Sequence, residues 1–120
     1  MTTRNSVFIL DDELPILEPL SLWFERKGYA VKIFTNSTDL LKSMMLEKPD
    51  ILFLDINLSG EDGRNLCRLV KVKYHKRLPV ILFSASPNLG SNYQDFDADA
   101  FIPKPFSFQK ISEVMNNYLN

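Results

Sequence analysis

Apolar residues along the chain fall into two alternating patterns. Short runs rich in β-branched and aromatic residues occur at 7–10, 30–34, 51–54, 80–83 and 100–102, and they read as five strands. The first, third and fourth are apolar without alternation, as expected for strands covered by helices on both faces of a parallel sheet. Between the runs, apolar positions recur at helical spacing. Pro15 suits a first helical turn, Ile16, Leu17, Leu20, Trp23 and Phe24 form one stripe, and Gly28 stands where a C-terminal cap belongs. Ser37 is placed to cap a second helix carrying Leu40, Leu41, Met44 and Met45, which must end before Pro49 because the residue preceding proline resists α geometry. A third helix carries Leu66, Leu69 and Val70, and a last one, capped by Ser107, carries Phe108, Ile111, Val114, Met115 and Tyr118. With right-handed crossovers this alternation gives a three-layer α/β sandwich that binds ligands beyond the carboxyl ends of its strands.

One stretch departs from the rhythm. Residues 86–99 hold Pro87, Gly90 and several Asn, Ser and Asp, with few apolar positions to fasten a helix to the sheet. The crossover helix there is expected to be short or irregular, and 89–97 to be the least ordered part of the chain. Tyr93 and Phe96 either fix this stretch to the core or form an exposed contact; the residues alone leave both open.

Composition narrows the function classes. A chain of 120 residues, 45% hydrophobic and 24% charged, is expected to form a single globular domain over 1–120. Its apolar runs are far too short for a membrane span, and no apolar stretch precedes the acidic 11–13, so neither membrane insertion nor export is expected. One cysteine, Cys67, allows no internal disulfide and fits a cytoplasmic location; it reads as a small helix side chain. Fourteen basic against fifteen acidic residues give a net charge of −1, which argues against a nucleic-acid surface. Arg64, Arg68, Lys71, Lys73, Lys76 and Arg77 form a basic run that reads as a solvated helix face, with a docking face for an acidic partner as the alternative. The only histidine, His75, lies in that run and reads as exposed.

The candidate chemistry lies where the strands end. The first is followed by Asp11, Asp12 and Glu13, the third by Asp55, the fourth by Ser84 and the fifth by Lys104. Glu13 reads as the start of a helix. Carboxylates forced together repel and need a compensating cation, and oxygen ligands suit a hard octahedral ion such as Mg²⁺. With a metal present, an aspartate can act as nucleophile toward phosphorus while a lysine and a hydroxyl stabilise the transferred oxygens. The chemistry indicated is an aspartyl phosphate.

In order and spacing, Phe8-Ile-Leu-Asp-Asp-Glu13, Ile51-Leu-Phe-Leu-Asp55, Leu82-Phe-Ser-Ala85 and Phe101-Ile-Pro-Lys-Pro-Phe106 resemble the receiver domain of bacterial two-component response regulators over essentially the whole chain. The resemblance implies a flavodoxin-like (βα)5 fold with a five-stranded parallel sheet in the order 2-1-3-4-5. It implies that Asp55 is the phosphoacceptor, Asp12 a direct Mg²⁺ ligand, Asp11 a ligand through water, and the Asn57 main-chain carbonyl a further ligand. Ser84 would be the switch hydroxyl, Lys104 the ion-pair partner of the phosphate, and Phe101 the aromatic whose rotamer reports phosphorylation. Gly63 matches the glycine eight residues after the aspartate. The implied partner is a histidine kinase or histidine phosphotransfer protein, with no direct nucleic acid or membrane contact, and with a phosphorylation-dependent dimer as an option.

Two departures stand out. Leu58-Ser59-Gly60 replaces the family's common Met-Pro and is expected to loosen that loop, and 84–101 is short by about two residues, in line with an irregular fourth helix. Two rival functions stand beside this one. A haloacid-dehalogenase-type phosphatase also uses an aspartyl phosphate, but it wants its nucleophile on the first strand, a second aspartate where Asn57 stands, and a substrate cap. A pseudo-receiver that binds partners without phosphorylation would lack an acid, hydroxyl or lysine, and here all are present.

Overall fold

The computed structural model describes residues 4–74 and 77–119, so His75 and Lys76 lie outside the described residues. Five strands, β1 (Ser6–Leu10), β2 (Ala30–Phe34), β3 (Ile51–Asp55), β4 (Val80–Ser84) and β5 (Ala100–Pro103), form one parallel sheet in the order β2-β1-β3-β4-β5. They alternate with α1 (Leu14–Arg26), α2 (Ser37–Leu46), α3 (Gly63–Tyr74), a single turn α4 (Pro87–Gly90) and α5 (Phe108–Leu119). This is the flavodoxin-like order that the family resemblance implies. Among the described residues no helix is long and apolar enough to cross a membrane.

Side chains alternate across the sheet with a period of two, so each central strand feeds two cores. Phe8, Leu10, Leu52, Leu54 and Leu82 face α2 and α3, while Val7, Ile9, Phe53, Ile81 and Phe83 face α1 and α5. Hence the central strands show no polar alternation, whereas β2, paired only with β1, leaves Lys32 and Ile33 exposed. At the end of α1, the amide of Gly28 donates to Glu25 and that of Tyr29 to Phe24, with Gly28 at φ +96° and the Tyr29 and Phe24 rings 5.8 Å apart. These are the paired bonds and apolar contact of a Schellman stop, which needs glycine at the left-handed position.

Three expectations shift by a residue or a face. The cap of α2 is Asn36, whose side chain accepts from the Asp39 amide, while Ser37 is already helical and its hydroxyl donates to Glu61 at 2.6 Å. On α3 the inward stripe runs through Gly63, Leu66, Cys67, Val70 and Lys71, so Leu69 falls a third of a turn away and is 55% exposed. Met45 on α2 is likewise exposed. Phe108 is half exposed but lies flat on Trp23, with ring centroids 5.2 Å apart.

The stretch after β4 is irregular as expected: the four-residue α4 is followed by a single 3-10 turn at Tyr93–Phe96, ending on Asp97 at φ +64°.

Candidate functional site

At the carboxyl edge, β1 delivers Asp11 and Asp12, β3 ends on Asp55, β4 ends on Ser84, and the chain leaving β5 supplies Lys104. Carboxylate oxygens of Asp11, Asp12 and Asp55 all lie within 4.8 Å of one another. Asp11 and Asp55 are buried, Asp12 half-buried. The Lys104 ammonium sits 2.7 Å from Asp11 Oδ2 and 3.3 Å from Asp55 Oδ2. Burial, and then the charge of Asp11, push the Asp55 carboxyl up to about 6, against the pull of Lys104 and a hydrogen bond from the Asn57 amide. For Lys104, burial opposes the charge, but the two ion pairs outweigh it and hold its pKa above the ordinary lysine value. Three acids facing one ammonium leave the cluster short of positive charge, and an all-oxygen donor set of this kind fits a hard divalent cation.

The sharp approach of α3 explains Gly63. A side chain there would run into the carbonyl oxygen of Asp55, and the Gly63 amide donates to the Ile56 carbonyl at 2.9 Å. The loop in between is not loosened, contrary to the expectation from Leu58-Ser59-Gly60. Asn57–Leu58 pairs antiparallel with Glu61–Asp62, Gly60 turns the corner at φ +78°, and Ser59 donates to Asp12 Oδ2 from both its amide (2.9 Å) and its hydroxyl (2.7 Å). The sequence offers no signal for this role of Ser59, because its partner lies 47 residues away.

Asn57 bridges two strand ends. Its amide donates to Asp55 Oδ1 at 3.1 Å, and its side-chain oxygen accepts from the Ser84 hydroxyl at 2.5 Å. The Ser84 hydroxyl in turn accepts from the Ser86 amide at 2.9 Å, so it is held by Asn57 and Ser86. An open cleft of about 370 Å³ lies over Asp12, walled by Asn57, Ser59, Glu61, Arg64 and Leu89.

Phe101 is not part of the carboxylate cluster. It is half-buried on β5 opposite Leu82, packed against the core below α4, and its ring occupies the space where a side chain at Gly90 would stand. The basic run is also not a uniformly solvated face. Arg64 grips Asp62 through both carboxylate oxygens, which holds the Asp62 carboxyl below its usual range, and reaches Leu89 O and Asn92 Oδ1 at 3.4 Å. Arg68 donates to the Asp95 carbonyl at 2.8 Å, and the Arg64 and Arg68 guanidiniums lie 5.0 and 4.7 Å from the Phe96 ring. Lys71 is buried, bonded to Leu78 O and Asp99 Oδ2, both at 2.8 Å. Lys73 and Arg77 are exposed as expected. Phe96 and Tyr93, which packs on the α3 side of the core, thus both fasten the irregular stretch. Cationic side chains of α3 add to the few apolar anchors of this stretch, Leu89, Tyr93 and Ala98.

A doubly wound sheet with clustered carboxylates, a hydroxyl and a lysine at its carboxyl edge is the arrangement that the receiver-domain resemblance implies. Residues 7–116 match the response regulator receiver domain, and the chain belongs to that family. Its fold is similar to the response regulator TrrA of Thermotoga maritima in complex with Mg²⁺ and BeF, with a TM-score of 0.87, 25% identity, and coverage of 96% of this chain and 99% of that one. It is also similar to the chemotaxis protein CheY4 of Vibrio cholerae, with a TM-score of 0.88, 19% identity and coverage of 98% and 100%. A response regulator receiver domain protein from Clostridium thermocellum gives a TM-score of 0.86, 22% identity and coverage of 97% and 94%.

Proposed function

We propose that this chain is a phosphorylation-dependent signalling switch that takes a phosphoryl group from a histidine kinase or histidine phosphotransfer protein onto Asp55. The observation that carries this reading is the buried Asp55 carboxylate, pressed against Asp11 and facing the Lys104 ammonium. Asp11, Asp12, Asp55 and the Asn57 carbonyl would hold Mg²⁺, which when bound supplies charge that neutralises the acids and the transferring phosphoryl oxygens. An Asp55 oxygen attacks phosphorus, the P–N bond of the phosphohistidine breaks, and its electron pair returns to the imidazole. Lys104 turns from Asp55 to a phosphoryl oxygen. Ser84 leaves Asn57 and donates its hydroxyl to another phosphoryl oxygen, and Phe101 moves with the chain that follows Ser84. On this reading the domain works in the cytoplasm without contacting nucleic acid itself.

Intact-mass measurement after incubation with Mg²⁺ and a small phosphodonor tests the reading. One added phosphoryl group is expected, lost in Asp55→Asn and lost when the metal is chelated. A gain that persists in Asp55→Asn would overturn it.

A further inference from the structure

Asp12 is the carboxylate of the cluster that borders the open cleft, and an aspartate on a water-filled rim ordinarily samples several rotamers. Here a single oxygen, Oδ2, takes two hydrogen bonds from Ser59, one from the amide at 2.9 Å and one from the hydroxyl at 2.7 Å. Both bonds fall on the same oxygen, which fixes the rotation of the carboxylate. The donor is itself firmly placed. Ser59 stands at the tip of the two-residue ladder, and the return strand of that ladder is fastened twice: Glu61 accepts from the Ser37 hydroxyl at 2.6 Å, and Asp62 is gripped by Arg64 at 2.7 Å.

We infer that Ser59 is a positioning residue for the divalent-cation site, holding Asp12 in its ligating orientation before the ion arrives. This rests on the reading of the acidic cluster as a Mg²⁺ site given above. Hydrogen-bonding partners of ligating carboxylates commonly change metal affinity 10- to 100-fold when removed, because the ligand must then be ordered at the moment of binding. Ser59 precedes a glycine at φ +78° in the reversal, a place where proline is well tolerated. Ser59→Pro therefore removes both donors and keeps the turn, Ser59→Ala removes the hydroxyl alone, and Ser59→Thr retains both.

The test is calorimetric titration with Mg²⁺ alone, no phosphodonor present, on wild type, Asp12→Ala and the three Ser59 variants, with a metal-free melting curve for each. Expected are a roughly ten-fold weaker Kd in Ser59→Ala, a loss approaching roughly a hundred-fold in Ser59→Pro, and wild-type binding in Ser59→Thr, without a matching change in the metal-free melting temperature. Wild-type binding that is abolished by Asp12→Ala yet equal or tighter in Ser59→Ala and Ser59→Pro overturns this inference and leaves the metal site standing. A wild-type chain that does not bind Mg²⁺ overturns the metal site itself, and the role of Ser59 with it.

Discussion

Replacing Asp55 should make the metal-free protein more stable. Asp55 is about 1% exposed and shares its site with Asp11, and its carboxyl is raised from 3.8 to about 6. A folded-state value above the unfolded one means that the native chain binds the proton more tightly. The contribution of this group to stability is therefore greatest below about pH 4, where both states are protonated, falls as pH rises toward 6, and levels off above that. At about 1.4 kcal/mol per pH unit, keeping this carboxylate ionised at pH 7 costs about 3 kcal/mol. Asp55→Asn removes the charge at nearly constant shape. The pull of Lys104 is already contained in the value of about 6, so the only further loss is the poorer fit of an amide beside the ammonium, which keeps its 2.7 Å bond to Asp11. The expected net gain at pH 7 is thus about 1–3 kcal/mol, shrinking toward zero at pH 4. Urea unfolding of both proteins in chelator at pH 4 and pH 7.5 measures it. A variant no more stable than wild type at pH 7.5, or a gain that is the same at both pH values, would refute the argument that burial and Asp11 strain this carboxylate.

Three further outcomes follow from particular contacts. Gly90→Ala should destabilise by about 2 kcal/mol or more, because the new methyl meets the Phe101 ring, and Phe101→Leu should restore much of that loss in a double-mutant cycle; simple additivity would show that the two do not compete for space. The Cys67 thiol, pushed up to about 12 mainly by burial, should react with iodoacetamide at pH 8 about a thousand-fold more slowly than a free thiol until urea unfolds the chain, and native-state labelling at the free-thiol rate would contradict its burial. Amides of 89–97 should exchange hydrogen faster than those of α3, and Arg64→Ala with Arg68→Ala should speed them further, since those two guanidiniums bond to Leu89, Asn92 and Asp95 and lie on Phe96. A protected, multi-turn helix across 89–97, or exchange indifferent to both arginines, would refute the cationic fastening of this stretch.

What the chain's own pattern determined was the layer architecture and the edge on which the chemistry gathers. Central parallel strands must be apolar on both faces, so the unbroken runs at 7–10, 51–54 and 80–83 could belong only to strands covered by helices, or to short buried helix turns that their length argues against. Once the sheet is parallel, every strand end points the same way, and Asp11, Asp12, Asp55, Ser84 and Lys104 must share one edge. The weakness of the fourth helix was also legible, because Pro87, Gly90 and the polar residues after them cannot supply an apolar stripe.

The tertiary structure alone decided how the site is held. Periodicity tells which way a residue leaves the backbone, but says nothing of where a long or polar side chain finds its partner. Arg64, Arg68 and Lys71 look like solvated cations in a linear reading, yet three-dimensional packing turns them onto the stretch from 89 to 99. Ser59 meets Asp12 across 47 residues, and Asn57 meets Ser84 across 27, contacts that exist only because β1, β3 and β4 lie side by side. Gly63 and Gly90 are likewise required by what approaches them, the Asp55 carbonyl in one case and the Phe101 ring in the other, and those neighbours come from separate strands of the folded sheet.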